Sequence, residues 1–229
     1  MSELVGNGSK ERWYPNSVGG LKRYLSNYEI NEYLCADSKY VIANISYNLQ
    51  YIEYLRKTLN ELNLSIVLQV QTIKNFIIIS TSIIEAIFYL ICCNEGLRKE
   101  NIWKEHKTTG KSEVNHEGSM LKFETKLYIK NSNPDFEILT FDQMIKKIER
   151  KKLLNQKNQF FKDLNHLRKL RNKIHLQETQ LIGRTDYNSF WRPEYELSKL
   201  NLRNLLLDDL FASEGEDLEL FDFLKVNNK

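Results

Sequence analysis

The segment from Ile66 to Cys93 most constrains the fold, because it is a long and almost entirely apolar helical stretch. Such a helix must be surrounded, either by other protein elements or by lipid. From Phe76 onward it is nearly long enough to cross a bilayer, but it contains Ser80, Thr81, Ser82 and Glu85. A central acid is costly in a membrane, so the sequence predicts a fully buried helix of a bundle.

Apolar spacing predicts further helices on both sides of this segment. In residues 39–62 apolar side chains recur every third or fourth position, which forms one helical stripe. Other helices are predicted over 21–34, 141–153, 157–176 and 194–211. The predicted fold class is all-α, an up-and-down helical bundle. We expect an N-terminal arm with a short helix at 1–38, the helical domain at 39–211 and an acidic C-terminal tail at 212–229.

Residues 104–138 interrupt the helical pattern. Gly110, Gly118 and Pro134 punctuate this stretch. Residues 121–129 alternate apolar with polar side chains, as a half-buried strand does. The sequence predicts a small insertion that forms a β-hairpin or a flexible flap.

The helix predicted at 157–176 places cations at the edge of an apolar stripe. At about 100° per residue, five apolar side chains share one side of it: Phe160, Leu164, Leu167, Leu170 and Ile174. Arg171 falls between two of these leucines on the helical wheel, His175 lies one turn further on, and Arg168 lies on the same edge. Because a lone buried charge is costly, such an arginine must be paired, meet a partner surface or bind an anion.

The segment Arg171-Asn172-Lys173-Ile174-His175 resembles the signature of the HEPN superfamily, the higher eukaryotes and prokaryotes nucleotide-binding domains. In that superfamily a helix carries an arginine, usually a polar residue directly after it, and a histidine further on. Arg171 has the polar neighbour Asn172 but a short spacing to His175, whereas Arg168 gives the longer spacing. Either arginine could be the catalytic one, and the wheel position favours Arg171. Segments 139–145 and 80–86 extend the resemblance, which spans residues 40–210.

The resemblance implies a metal-independent endoribonuclease, of a type found among prokaryotic toxins and antiphage defence effectors. The implied catalytic residues are Arg171, His175, Asn172 and Arg168, with Glu85 in support and Lys169 and Lys173 as RNA-binding residues. RNA can be cut without a metal because its own 2′-hydroxyl attacks the adjacent phosphate and leaves a 2′,3′-cyclic phosphate. A neutral imidazole suits the proton transfer, and a guanidinium suits the phosphorane charge. No cofactor or metal is expected.

The resemblance also implies RNA as a partner and a homodimer with a composite active site, because two protomers of the superfamily pair so that both motifs line one groove. Such a dimer would account for an arginine in an apolar face, because that face would pack against the same face of a second protomer. An antitoxin or another regulatory protein is a further expected partner.

Alternatives remain open for the function and for Glu85. A catalytically inactive HEPN-like module would bind nucleotide, RNA or a protein, and the short spacing favours it. A purely structural subunit of a larger complex is compatible with the acidic C-terminus. Glu85 is either a buried acid that bonds hydroxyls or pairs with Arg171 or Arg168, or a group that orients the catalytic arginine or His175.

Charge and cysteine usage bear on partners and location. The formal net charge is only +3, yet basic residues dominate 146–173 and acids dominate from Asp208 onward. This asymmetry predicts a basic working face. The three cysteines, two of them adjacent in the apolar helix, indicate reduced thiols, and no Cys/His spacing predicts a zinc site. Residues 1–10 lack the apolar core of a secretory signal, so we expect a cytoplasmic protein without membrane contact.

Overall fold

The computed structural model describes residues 12–132, 134–174, 189–211 and 215–226. These residues form six α-helices and one antiparallel hairpin, in the order α1 Val18–Leu25, α2 Ser38–Glu61, α3 Ile66–Asn94, β1 Trp103–His116, β2 Ser119–Lys130, α4 Phe141–Lys151, α5 Asn158–Arg171 and α6 Arg192–Leu206. Short 3₁₀ helices cover Asn172–Ile174, Asp209–Phe211 and Gly215–Leu224. The helices make up one compact unit, and Gly96–Leu139 with the hairpin makes up another.

The all-α prediction is wrong, because the chain is a mixed α and β protein. Its two strands are 14 and 12 residues long and pair in antiparallel register from Trp103 opposite Lys130 to His116 opposite Ser119. The alternation of 121–129 indicated one strand, but β1 has no comparable apolar alternation. β1 is extended because it pairs with β2 along its whole length. The pairing gives the hairpin unit a regular structure of its own.

α3 lies in the core of the helical unit, where it contacts α2, α4, α5 and α6. It is long and apolar enough to span a membrane by length and composition, with a mean hydropathy of 2.3 over its most apolar window, and 67% of that window is buried. Residues 77–84 are β-branched or serine, which have modest helix propensity. Burial of these residues against neighbouring helices stabilises the helix despite that modest propensity. The sequence predicted α3 as a buried helix of a bundle for the same reason.

Local capping sets where α1 and α4 begin. The Ser17 hydroxyl accepts a hydrogen bond from the Gly20 backbone N–H at 3.0 Å, so α1 starts before the predicted residue 21 and includes two glycines in its first turn. At α4, the Thr140 hydroxyl accepts from the Gln143 N–H at 3.3 Å, and Gln143 Oε1 accepts from the Thr140 N–H at 2.8 Å. This capping box fixes the first turn of α4, which carries Asp142.

The C-terminal segment contributes side chains to the core despite its acidic composition. Phe221 and Leu224 are completely buried, and the Tyr24 ring on α1 packs edge-on against Phe221 at a centroid distance of 4.9 Å. Asn16, before α1, donates a hydrogen bond to the Leu220 carbonyl at 2.9 Å. Both ends of the described chain are therefore joined to the helical unit.

We expect Thr140→Ala to lower the free energy of unfolding by about 1 kcal/mol, because it removes the capping box that starts α4. Thr72→Ala is the matched control. The Thr72 hydroxyl bonds only back to the Leu68 carbonyl one turn earlier, at 2.8 Å, and alanine is the better helix former. Urea denaturation followed by circular dichroism measures both variants. Equal stability of Thr140→Ala and wild type would contradict the capping assignment.

Candidate functional site

α5 carries the predicted motif, and its α-helical part ends at Arg171. Phe160, Leu164, Leu167 and Leu170 are buried, as their shared side of the helix predicted. The helix was predicted to continue to residue 176, but Asn172–Ile174 form a 3₁₀ turn instead. Asn172 and the basic last turn are signals of a helix end, but the apolar spacing continues to Ile174, which is why the end was placed too late. His175 lies outside the described residues, so its position relative to Arg171 stays a prediction.

The Arg171 side chain forms an ion pair with Glu85 of α3. Nη1 of Arg171 donates to Oε2 of Glu85, and the two side chains are only 26% and 28% exposed. Burial lowers the pKa of Arg171 from its ordinary value, which nevertheless lies so far above neutrality that the guanidinium stays charged. Of the two interpretations of Glu85, the structure therefore contains the pairing with Arg171. A carboxylate in this position also fixes the direction of the guanidinium.

Arg168 pairs with a different helix. Its Nη2 lies 2.9 Å from Oδ1 of Asp142 in the first turn of α4, and the Lys146 ammonium lies 2.6 Å from the other carboxylate oxygen. The hydrogen bond from Lys146 and the charge of Arg168 lower the pKa of Asp142. Arg168 Nε is buried and has no hydrogen-bond partner among the described residues. The two arginines thus join α5 to α3 and α4 through one carboxylate each.

The remaining motif residues occupy the surface beside these pairs. Asn172 is the C-cap of α5 and is exposed, as is Lys169. Lys173 is half-buried. Its ammonium donates, at 3.2 Å, to the hydroxyl of Ser189, the residue that lies shortly before α6. The structure therefore groups Arg168, Lys169 and Arg171 at the last turn of α5. It gives Lys173 a contact within the chain that the sequence did not predict.

The hydroxyls of α3 serve the packing of helices. Ser80 is fully buried and shares a hydrogen bond with the Ser198 hydroxyl of α6, while it also donates to the Ile77 carbonyl at 3.1 Å. Ser82 bonds back to the Ile78 carbonyl at 2.9 Å. Thr81 Oγ1 is buried with no hydrogen-bond partner among the described residues. Of the polar group at 80–85, Glu85 is the residue that contacts the predicted motif.

One hollow of the helical unit lies away from the predicted site residues. It has a volume of about 660 Å³ beside the turn between α4 and α5, and its lining includes Gln156, Asp208 and Asp209 but none of the predicted site residues. Asp208 accepts hydrogen bonds there from the Gln156 amide at 2.8 Å and the Asn155 N–H at 3.1 Å. Within the described ranges, no group of three or more His, Cys, Asp or Glu side chains could hold a metal ion. This hollow is therefore separate from the predicted site residues.

Asp142 is the site residue that the sequence did not single out. An acid in the first turn of a helix is explained by the helix dipole alone, so its sequence context gives no sign of a partner. The signal that could have found it is the start of α4 at Thr140, because a fixed first turn gives Asp142 a fixed direction. Chemically, the arrangement presents two oriented guanidinium groups, each with donors beyond those that its carboxylate uses.

Comparison of the chain with protein-family models, curated proteins and solved structures finds no match. The resemblance to the HEPN superfamily therefore rests on the motif residues and their surroundings.

We expect a double-mutant cycle of Glu85→Gln and Arg171→Gln to give a coupling energy of about 1–3 kcal/mol, because both side chains are mostly removed from water. The control is the exposed pair of Lys39 with Glu32, whose atoms lie 2.8 Å apart and whose side chains are 76% and 65% exposed. There the cycle should give a much smaller coupling. Urea denaturation of the single and double variants measures both. Equal coupling in the two pairs would show that the Arg171 contact is no more than a surface ion pair.

The stabilising effect of Asp142 should depend on pH. Its pKa is lowered in the folded protein, so the carboxylate contributes stability above its unfolded pKa of about 3.9, and this contribution disappears as pH falls through the folded value. We expect Asp142→Asn to be less stable than wild type at about pH 6 and to approach it near about pH 3. Asp163→Asn is the control, since that carboxylate accepts from the neutral Gln159 amide at 2.7 Å. A pH-independent difference for Asp142→Asn would contradict this assignment.

Proposed function

We propose that this protein is a metal-independent endoribonuclease that binds RNA along α4 and α5 and acts on the scissile phosphate through Arg171 and His175. The observation that carries the proposal is the last turn of α5, where Glu85 holds the Arg171 guanidinium next to exposed basic residues. The resemblance supplies the reaction type. The pairing supplies a physical reason why this arginine has a fixed direction.

The surface around the site suits a polyanion. Residues 142–174 contain eleven lysines and arginines against three acids. Many of the basic side chains on α4, α5 and the connecting turn are exposed: Lys146, Arg150, Lys151, Lys152, Lys157, Lys162 and Lys169. Of the acids, Asp142 is already matched by Arg168 and Lys146. A strip of this charge attracts phosphates whatever the nucleotide sequence, and the attraction weakens as salt rises.

Arg171 can hold a phosphate while it stays paired. A guanidinium has five N–H donors, and the bond to Glu85 uses one through Nη1. The other donors, on a side chain that is partly exposed, suit the oxygens of a phosphate and the charge of the phosphorane. Glu85 then acts as a positioning residue, because it contacts the arginine and not the substrate. Arg168 is likewise paired, with Asp142 on the neighbouring helix, and we assign it to support because the polar neighbour Asn172 follows Arg171.

In this mechanism the 2′-hydroxyl of RNA is the nucleophile. His175 takes the proton from that hydroxyl or returns one to the leaving 5′-oxygen, and Arg171 neutralises the charge that develops on the phosphorane. Asn172, exposed beside Arg171, orients the phosphate or the imidazole. The products are a 2′,3′-cyclic phosphate and a 5′-hydroxyl. DNA lacks the nucleophile and is not cut.

A second candidate is the catalytically inactive module that binds RNA or a protein. The observation that favours it is that both arginines already have carboxylate partners within their own chain. The same observation weakens the case for a dimer with a composite site, because neither arginine requires a second protomer to balance its charge. The composite homodimer, an antitoxin or regulatory partner and a cytoplasmic location remain predictions.

Purified protein incubated with tRNA and mRNA in excess EDTA discriminates the two functions. We expect cleavage by wild type, loss of cleavage with retained RNA binding in His175→Ala, and weaker cleavage and binding in Arg171→Ala. His166→Ala is the matched control, because His166 is exposed on the same helix and should leave cleavage unchanged. Arg168→Ala should be milder than Arg171→Ala.

Gel electrophoresis of end-labelled RNA measures cleavage, and filter binding at several salt concentrations measures affinity. RNA binding without cleavage, in wild type as in His175→Ala, would favour the inactive module. Neither binding nor cleavage would contradict the ribonuclease and the RNA-binding module, and would leave the protein-binding form of the second candidate. An Arg168→Ala variant that is more damaged than Arg171→Ala would assign the catalytic role to Arg168.

A further inference from the structure

The two faces of the hairpin differ in polarity. Side chains at odd positions of β2 share one face with their partners on β1, because directly paired residues point the same way. The apolar hairpin face consists of Leu121, Phe123, Leu127 and Ile129 together with Val114, which pairs with Leu121. All five side chains are exposed. The remaining positions of this face are mostly serine and threonine, with Lys104 and Lys107 near the base of the hairpin.

The opposite face is mostly charged, although Trp103, Met120 and Tyr128 also lie on it and are exposed. On it, Lys126 lies 2.9 Å from Glu105 and Lys122 lies 3.1 Å from Glu124. Such pairs belong in water and need no cover. Odd-numbered residues of β2 are therefore mostly apolar and even-numbered residues mostly charged. A sheet that packs on one side only shows the same alternation.

A two-stranded ribbon cannot cover its own apolar face. An isolated hairpin is marginally stable in water, and independent stability requires a packed hydrophobic face. Here the strands run for 12 and 14 residues with that face uncovered. An apolar strip of this length marks an interaction site or an aggregation hazard.

We propose that the apolar hairpin face packs against the same face of a second copy of this chain, so that two hairpins form a four-stranded, two-layer sandwich. Twisted sheets of equal twist pack face to face at a separation of about 10 Å. With twelve paired positions, the face is about 40 Å long and about 10 Å wide. Covering it in both copies removes on the order of 1,000 Å² of surface, which is the lower limit for a specific interface.

Charge favours one orientation of the two copies. Lys104 and Lys107 lie at the base of the face, whereas the tip end around Val114 and Leu121 carries no acidic or basic residue other than His116. If the two tips pointed the same way, the lysines of both copies would confront each other. A two-fold axis across the ribbon places them over the neutral tip of the partner copy. The antiparallel arrangement therefore follows from the positions of the lysines.

Pairing through strand edges would not solve the same problem. The edge of β1 is interrupted by irregularities between Glu105 and Lys107 and between Thr109 and Lys111. Such bulges discourage a further strand. The edge of β2 is regular, but a strand added there would widen the apolar face without covering it. Stacking of the two faces removes the exposed apolar surface, and edge pairing does not.

Phe123→Ser and Tyr128→Ser form a matched pair that tests the proposal. Both residues are aromatic, both lie on β2, and their exposed fractions are 54% and 55%, but they stand on opposite faces. Sedimentation equilibrium of the full chain should show a dimer for wild type and Tyr128→Ser. Phe123→Ser should raise the dimer dissociation constant by at least about 100-fold, because a two-fold interface loses the ring twice. The dimer should persist in high salt, unlike RNA binding.

Engineered cysteines test which face of the hairpin is covered. Thr125 pairs with Thr109 near the middle of the apolar hairpin face, and the neighbouring Lys126 points to the other face. Because Cys35, Cys92 and Cys93 are buried, an added cysteine is the accessible thiol. With diamide as the oxidant, Thr125→Cys should give a disulfide-linked dimer on a non-reducing gel, and Lys126→Cys should not.

Several outcomes would overturn the proposal. These are a wild type that stays monomeric up to high micromolar concentration, equal dissociation of the Phe123→Ser and Tyr128→Ser variants, and equal cross-linking of the two cysteine variants. A monomer that cosediments with phosphatidylglycerol vesicles through Phe123 would assign the face to lipid instead. None of these measurements involves RNA, so they are independent of the ribonuclease assay.

Discussion

The burial of α3 is the constraint on which the helical unit depends. This helix is apolar over most of its surface and contacts four neighbouring helices, so a polar side chain that faces one of them is removed from water and is stabilised by a partner there. Ser80 meets Ser198 of α6, and Glu85 meets Arg171 of α5. A buried polar group that loses its partner costs more than the contact itself contributes. The polar residues of α3 therefore select how α5 and α6 lie against it, in addition to the apolar packing.

Much of this unit could be predicted from the sequence, because hydrophobic periodicity and capping are local. The predicted bounds of α2 and α3 agree with the structure to within one residue, and the apolar side of α5 is the side that is buried. Local rules failed where two of them conflicted. Gly19 and Gly20 indicated an irregular arm, but they lie in the first turn of α1, where the Ser17 cap stabilises the helix. A β-hairpin was predicted at 104–138, with a flexible flap as the alternative, but the bounds of β1 could not be read from the sequence because β1 has no apolar alternation of its own.

The choice of ion-pair partners could not be predicted, because it depends on contacts between distant segments. Glu85 was recognised as a group that could pair with Arg171 or Arg168, but 86 residues separate it from Arg171 and the sequence does not rank the two. The choice is settled by helix geometry. Arg171 faces α3, whereas Arg168, three residues earlier, faces the start of α4 and Asp142. Charge alone predicts neither ion pair, because either arginine could pair with either carboxylate.

If the surface binds phosphate as proposed, the pairing of the arginines assigns attraction and positioning to two kinds of residue. A guanidinium that already contacts a carboxylate adds little net charge, so Arg168 and Arg171 contribute direction more than long-range attraction. The attraction comes from exposed side chains such as Lys157, Lys162 and Lys169, whose charges act over about 8 Å at physiological salt. Affinity and positioning therefore rest on different side chains. A loss of lysines should change the salt dependence of binding, whereas a loss of Glu85 should disturb the geometry at the phosphate and leave that dependence nearly unchanged.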